Sequence, residues 1–195
     1  MPLHNCSLRM LHAVPDAGPL DIIINDQQAT SRFEFRELTP YYKAEAGLYH
    51  FKVSPSENPN AILVNEIISV KEGEMLTFAV VGLSHAMDVA LIKDKEEELN
   101  PEKSYIRFVH AVSSTIDVDI FLGQEKKTDG FMYKEVSPLF EETPGSYSFS
   151  GLDPATGEVK LTHPRLELSP GRKYAGYIIG SNPSKLEMLL SLEEA

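Results

Sequence analysis

A single cysteine, Cys6, and no tryptophan occur among the 195 residues. One thiol excludes an intrachain disulfide and any zinc cage built from cysteines, so the fold has to stand on packing. No apolar run approaches the roughly 20 residues of a membrane-spanning helix, and membrane insertion is not expected. Met1 to Ala13 has neither a basic start nor a long greasy stretch, so the expected location is cytoplasmic, with a spore or cell surface as the alternative. Basic residues are scarce: 18 Lys and Arg stand against 29 Asp and Glu, a formal charge of −11. The densest basic clusters, Lys126-Lys127 and Arg172-Lys173, are too small to neutralise a phosphate backbone, and nucleic acid is excluded as an expected partner. With 42% hydrophobic residues, the chain still has enough apolar material for real cores.

An internal repeat decides the domain organisation. Leu8-Arg9-Met10-Leu11-His12-Ala13-Val14 returns, 98 positions later, as Ile106-Arg107-Phe108-Val109-His110-Ala111-Val112. At the same offset Asp21 meets Asp119, Phe33 meets Phe131, Pro40 meets Pro138, Gly47-x-Tyr49-x-Phe51 meets Gly145-x-Tyr147-x-Phe149, and Gly82 meets Gly180. Turn glycines, a proline and aromatics held in unbroken register imply two copies of one fold. The expected domains are residues 1–92 and 105–195, joined by a charged linker at 93–104, where Asp94 to Leu99 is the only stretch with helical character. Neither copy is basic: the first has six basic and eleven acidic residues, the second nine and thirteen.

Within each copy the apolar period is two, the signature of strands. The expected runs begin with Leu8 to His12 and Leu20 to Ile24, followed by an alternating Phe33-x-Phe35 and by Tyr49 to Val53. Ile62 to Val70, Met75 to Val81 and Met87 to Leu91 complete the copy. Lys71-Glu72-Gly73-Glu74 and Ser169-Pro170-Gly171-Arg172 read as hairpin tips. About seven short strands in some 90 residues predict an all-β chain of two tandem antiparallel β-sandwich domains of immunoglobulin-like size.

The string from Leu8 to Ile22, with His12, Pro15-Asp16-Ala17 and Asp21, together with Ala46-Gly47-Leu48-Tyr49, resembles the bacterial domain-of-unknown-function family 4397. The second copy keeps Arg107, His110, Ala111 and Asp119 but has Ser113-Ser114-Thr115-Ile116-Asp117 in place of the Pro-Asp-Ala segment. The resemblance implies tandem β-sandwich modules of envelope, surface or spore-associated proteins, with no enzymatic activity attached.

Several residues are candidates for chemistry. His12 with Asp21, and His110 with Asp119, sit on successive strands, where imidazole and carboxylate can brace each copy as structural pairs; a satisfied buried pair is favoured over half of a catalytic triad because no nucleophile or oxyanion hole is evident nearby. Gly82-Leu83-Ser84-His85-Ala86 superficially matches a nucleophile elbow, but an alternating strand follows where a helix is needed, so a hairpin turn is expected. His4, Cys6 and His12 as zinc ligands, or Asp16, Asp21 and Asp26 around calcium, lack the spacing and supporting partners of such sites, and no metal or cofactor is expected. Tyr49 and Tyr147 share an inward period with Phe51 and Phe149, and their hydroxyls are expected to bond a turn backbone. Tyr41-Tyr42 must alternate, which turns at least one ring outward and makes Tyr41, Tyr42 and Asp16 the candidate ligand contacts, unless the segment is a covered edge strand.

The expected function is a non-catalytic interaction or structural module that binds a protein partner or self-associates as a homo-oligomer, presenting the loops Val14 to Pro19 and Val112 to Asp117 at the end of each sandwich. A glycan or cell-wall binding module is the alternative, and a hydrolase using Ser84 or His12 the third.

Overall fold

In a computed structural model, which describes residues 6–94, 98–113, 117–180 and 186–193, the chain separates into two compact units divided between Glu96 and Glu97. The first contains β1 (Cys6–His12), β2 (Leu20–Ile24), β3 (Gln27–Phe33), β4 (Tyr42–Ala44), β5 (Gly47–Pro55), β6 (Val64–Val70), β7 (Met75–Leu83) and β8 (Ala86–Asp94). The second contains β9 (Ser104–His110), β10 (Val118–Leu122), β11 (Glu125–Phe131), β12 (Phe140–Glu142), β13 (Gly145–Leu152), β14 (Val159–Leu168), β15 (Lys173–Gly180) and β16 (Leu186–Leu192). Among the described residues there is no helix, and therefore none long and apolar enough to cross a membrane. The fold is all-β.

Each unit is a pair of four-stranded sheets. The first has the orders β4-β1-β7-β8 and β3-β2-β5-β6, the second β12-β9-β15-β16 and β11-β10-β13-β14, so the 98-residue offset carries over into topology strand for strand. Even the irregularities repeat: β2 pairs with β3, and β10 with β11, through register shifts at matching positions. Period-two alternation turns Leu8, Met10, Leu76, Phe78 and Val80 of one sheet towards Leu20, Ile22, Phe51 and Val53 of the other, and these make one core. The Phe51 and Phe78 rings meet edge to face with centroids 5.4 Å apart, and each such fully buried ring contributes about 2–3 kcal/mol.

The cores are not identical. Met10 and Phe78 in the first unit are replaced by Phe108 and Gly176 in the second. A Cβ on Gly176 would lie 3.1 Å from the Phe108 ring and 2.9 Å from the Met188 sulfur. The bulky ring has moved from the seventh strand of its unit to the first, and the glycine makes room for it.

The sheets are dominated by antiparallel pairs, as expected, with β1 running parallel to β7 and β9 parallel to β15; alternation reports which face a side chain takes, not the direction of the neighbouring strand. Three expectations need correction. Among the described residues there are eight strands per unit, the additional ones being the three-residue edge strands β4 and β12. Phe33 closes β3 and Phe35 lies beyond it, since Arg32 (φ 49°) and Arg36 (φ 77°) turn the chain out of extended conformation. Lys93, Asp94 and Ser104 belong to strands, and Asp94 is buried where Thr77 and Tyr41 donate hydrogen bonds to it; within the expected helical stretch, residues 95–97 lie outside the described residues.

Candidate functional site

The histidines and aspartates do not meet. In the first unit the Val14 amide donates to His12 Nδ1 at 3.2 Å, which places the ring proton on Nε2, 3.0 Å from the Gly18 carbonyl oxygen that accepts it. His12 is fully buried, beside the rings of Phe33 and Phe35. Burial pushes its pKa below the ordinary value, against the raising effects of the Gly18 bond and of Glu34 and Glu37. Asp21 instead accepts from the Arg32 amide at 3.0 Å and from the Ser56 hydroxyl. In the second unit the Val112 amide points at His110 Nδ1 at 3.4 Å, while Asp119 accepts from the Gly130 amide at 2.8 Å and pairs with Lys126 at 2.7 Å. Each histidine secures the loop leaving the first strand of its unit, and each aspartate fastens the end of the neighbouring hairpin.

The other candidates also resolve into separate places. Ser84 lies in the two-residue turn between β7 and β8, with Gly82 at φ 106° and no room for a Cβ, which would fall 2.3 Å from the Ala86 carbonyl oxygen. Its amide and hydroxyl both donate to Asp16, at 3.1 and 2.9 Å. Those bonds join the Val14–Pro19 loop to the hairpin, and Asp16 does not line the cleft beside Tyr42. Asp26 pairs with Lys52 at 2.6 Å, and no three His, Cys, Asp or Glu side chains converge among the described residues; His4 lies outside them. Within Val112 to Asp117, residues 114–116 also lie outside them. Tyr41 is half-buried, its hydroxyl bonded to Asp94 and its ring 4.4 Å below the Arg9 guanidinium. Tyr42, one residue on, is 49% exposed.

Tyr42 borders a cleft of about 400 Å³ between the edge strands β3 and β4. Its floor is apolar, made by Leu8, Met10, Ile24 and Phe78. One wall is Tyr42, Lys43 and Ala44 of β4; the other is Asn25 and the Gln27-Gln28-Ala29 segment that opens β3. Tyr49 closes one side, its hydroxyl donating to the Glu45 carbonyl at 2.7 Å. Tyr147 makes the matching bond to Thr143 at 2.5 Å, so the expected turn bond is present in both copies. In the first copy, however, the ring is also cleft wall, a role the inward period alone did not reveal.

At the corresponding place in the second unit the gap between the sheets is bridged. Lys127, which stands where Ala29 does, reaches from β11 to β12 and pairs at 2.5 Å with Glu142, the counterpart of Ala44. It also pairs with Glu125 at 2.8 Å and lies 5.5 Å from the centre of the Phe140 ring, the counterpart of Tyr42. Burial works against the Lys127 charge, but the bonds from Glu125 and Glu142 outweigh it and hold its pKa above the ordinary lysine value. A depression of about 310 Å³ in the second unit is bounded by β11 and the Glu135–Pro138 turn.

Two duplicated four-plus-four-stranded sandwiches, with a loop-bracing histidine and a hairpin-fastening aspartate in each, define the class: a tandem all-β domain pair. The family described as Domain of unknown function (DUF4397) matches residues 6–119 and again residues 104–195. The chain belongs to that family, as a tandem pair of such domains. No curated protein matches it significantly.

Proposed function

We propose that the chain is a non-catalytic interaction module whose ligand site is the cleft between β3 and β4 of the first unit, with the second unit a closed counterpart. One contrast carries this reading: Ala29 and Ala44 leave open in the first copy what Lys127 and Glu142 bridge in the second. The cleft has the size and make-up of a binding site, an apolar floor below a few convergent polar groups. A protein partner suits it best, because both walls are strand edges. The exposed Tyr42 ring beside the amides of Asn25, Gln27 and Gln28 favours a glycan as the second reading, since aromatic faces and planar amides are what sugar rings and hydroxyls recognise. Residence at an envelope or spore surface is compatible with either.

The second copy supplies the test. Ala29→Lys with Ala44→Glu transplants the bridge into the first unit. Ligand-observed NMR of a fragment library against the full chain should give hits that compete with one another and disappear in this double variant, with the melting temperature retained. Hits that persist in it place the ligand site elsewhere and remove the reading.

A further inference from the structure

The strand that forms one wall of the cleft differs from its counterpart in a second respect. Among the described residues β3 is hydrogen-bonded to β2 alone, so its other edge presents unpaired backbone donors and acceptors. Such an edge is a template for another strand unless it is guarded by charge, proline or cover, and lysine is the usual guard. The counterpart, β11, is guarded: it reads Glu125-Lys126-Lys127-Thr128-Asp129, with Lys126 paired to Asp119 and Asp129, and Lys127 to Glu125 and Glu142. In β3 the same five positions are Gln27-Gln28-Ala29-Thr30-Ser31, without charge or proline and largely exposed. The edge lacks its guards where the cleft beside it is open.

Resting on the reading of the cleft as the ligand site, we propose that its occupant is an extended, uncharged polypeptide segment of a protein partner, which adds as a strand to the free edge of β3 and sets an apolar side chain into the cleft. Backbone bonding to β3 would provide affinity, and alternate side chains would provide selectivity. Successive side chains of a strand point to opposite faces, so every second residue would face the Leu8, Met10 and Phe78 floor and call for an apolar group. The seven residues of β3 set the length of the match at about five to seven residues.

The experiment pans a phage-displayed random nonapeptide library on the full chain and measures the enriched peptides, fluorescein-labelled, by anisotropy. Gln28→Lys restores one guard at an exposed position that does not threaten folding; Ala29→Lys with Ala44→Glu restores the bridge. The expected result is a set of uncharged sequences with apolar residues at alternate positions, bound at least tenfold more weakly by both variants, with amide exchange slowed at Gln27 to Ser31 on binding. No enrichment, unchanged binding in Gln28→Lys, or protection confined to another strand overturns the proposal. If fragments or oligosaccharides bind and are displaced by the bridge while no peptide is selected, the cleft stands and the peptide falls; if the bridge displaces nothing, both fall. A concentration-dependent mass that Gln28→Lys abolishes would make the occupant a second copy of this chain, which also overturns it.

Discussion

His12 has both ring nitrogens committed, one accepting from Val14 and one donating to Gly18, an arrangement that only the neutral ring satisfies. A second proton would have to sit on Nδ1 against the Val14 amide, in a site without water contact. Desolvation outweighs the attraction of Glu34 and Glu37, so the folded pKa lies below the unfolded value near 6.5. Between those two values the unfolded chain binds more protons than the folded one. The stability His12 contributes is therefore complete above about pH 6.5 and is lost as the pH falls towards the folded pKa. Urea titrations followed through exchange of the Leu20, Phe51 and Phe78 amides should show the first unit's midpoint falling between pH 7.5 and 5.5; a midpoint that rises on acidification would contradict the neutral, loop-bracing role.

At the scale of elements, the bridge between β11 and β12 is a buried ion pair, with the Lys127 and Glu142 side chains 6% and 10% exposed. Removing one member of such a pair leaves the other desolvated, whereas replacing both with apolar groups of similar volume is close to neutral. Lys127→Met, which strands Glu142, is expected to cost the second unit about 3 kcal/mol, and Lys127→Met with Glu142→Leu less than about 1 kcal/mol, measured as denaturation midpoints reported by the Ile106 and Ile120 amides. Equal losses in both variants would mean that the pair itself, rather than its orphaned half, governs stability. Much of this level was legible in the sequence. The turn glycines, the strand runs and the tyrosine hydroxyl bonds all follow from period two and from residues with distinctive φ or hydrogen-bonding needs. The parallel β1–β7 pairing was not legible, because alternation carries no strand direction, and the end of β3 was missed because positive φ at Arg32 is not encoded by an obvious residue type. The cleft was hidden for a different reason: it is made by two alanines, and a side chain that is too short announces nothing. Its only sequence signal lies in the offset comparison, where Ala29 and Ala44 face Lys127 and Glu142; Tyr42 was the one wall residue legible from alternation.

For the whole molecule, duplication predicts two equivalent clefts, and the one proposed as the ligand site is open where Lys127 and Glu142 bridge its counterpart. Both units keep the topology, the irregular β2–β3 or β10–β11 hairpin, the loop-bracing histidine and the Tyr49 or Tyr147 bond to the preceding turn, which are features each sandwich uses to fold. Besides the core exchange of Met10 and Phe78 for Phe108 and Gly176, they differ at the gap between two edge strands, which is open in the first copy and bridged by charge in the second. A fragment whose binding is lost on Ala29→Lys with Ala44→Glu should therefore titrate calorimetrically with one site per chain. Replacing the second bridge with Lys127→Met and Glu142→Leu should not raise that number, because the methionine and leucine keep most of the bridge's volume and Phe140 still packs against the second core, its ring 6.2 Å from that of Phe108. Two sites per wild-type chain would show that the bridge does not close the second copy, and would remove the contrast on which the assignment of the site depends.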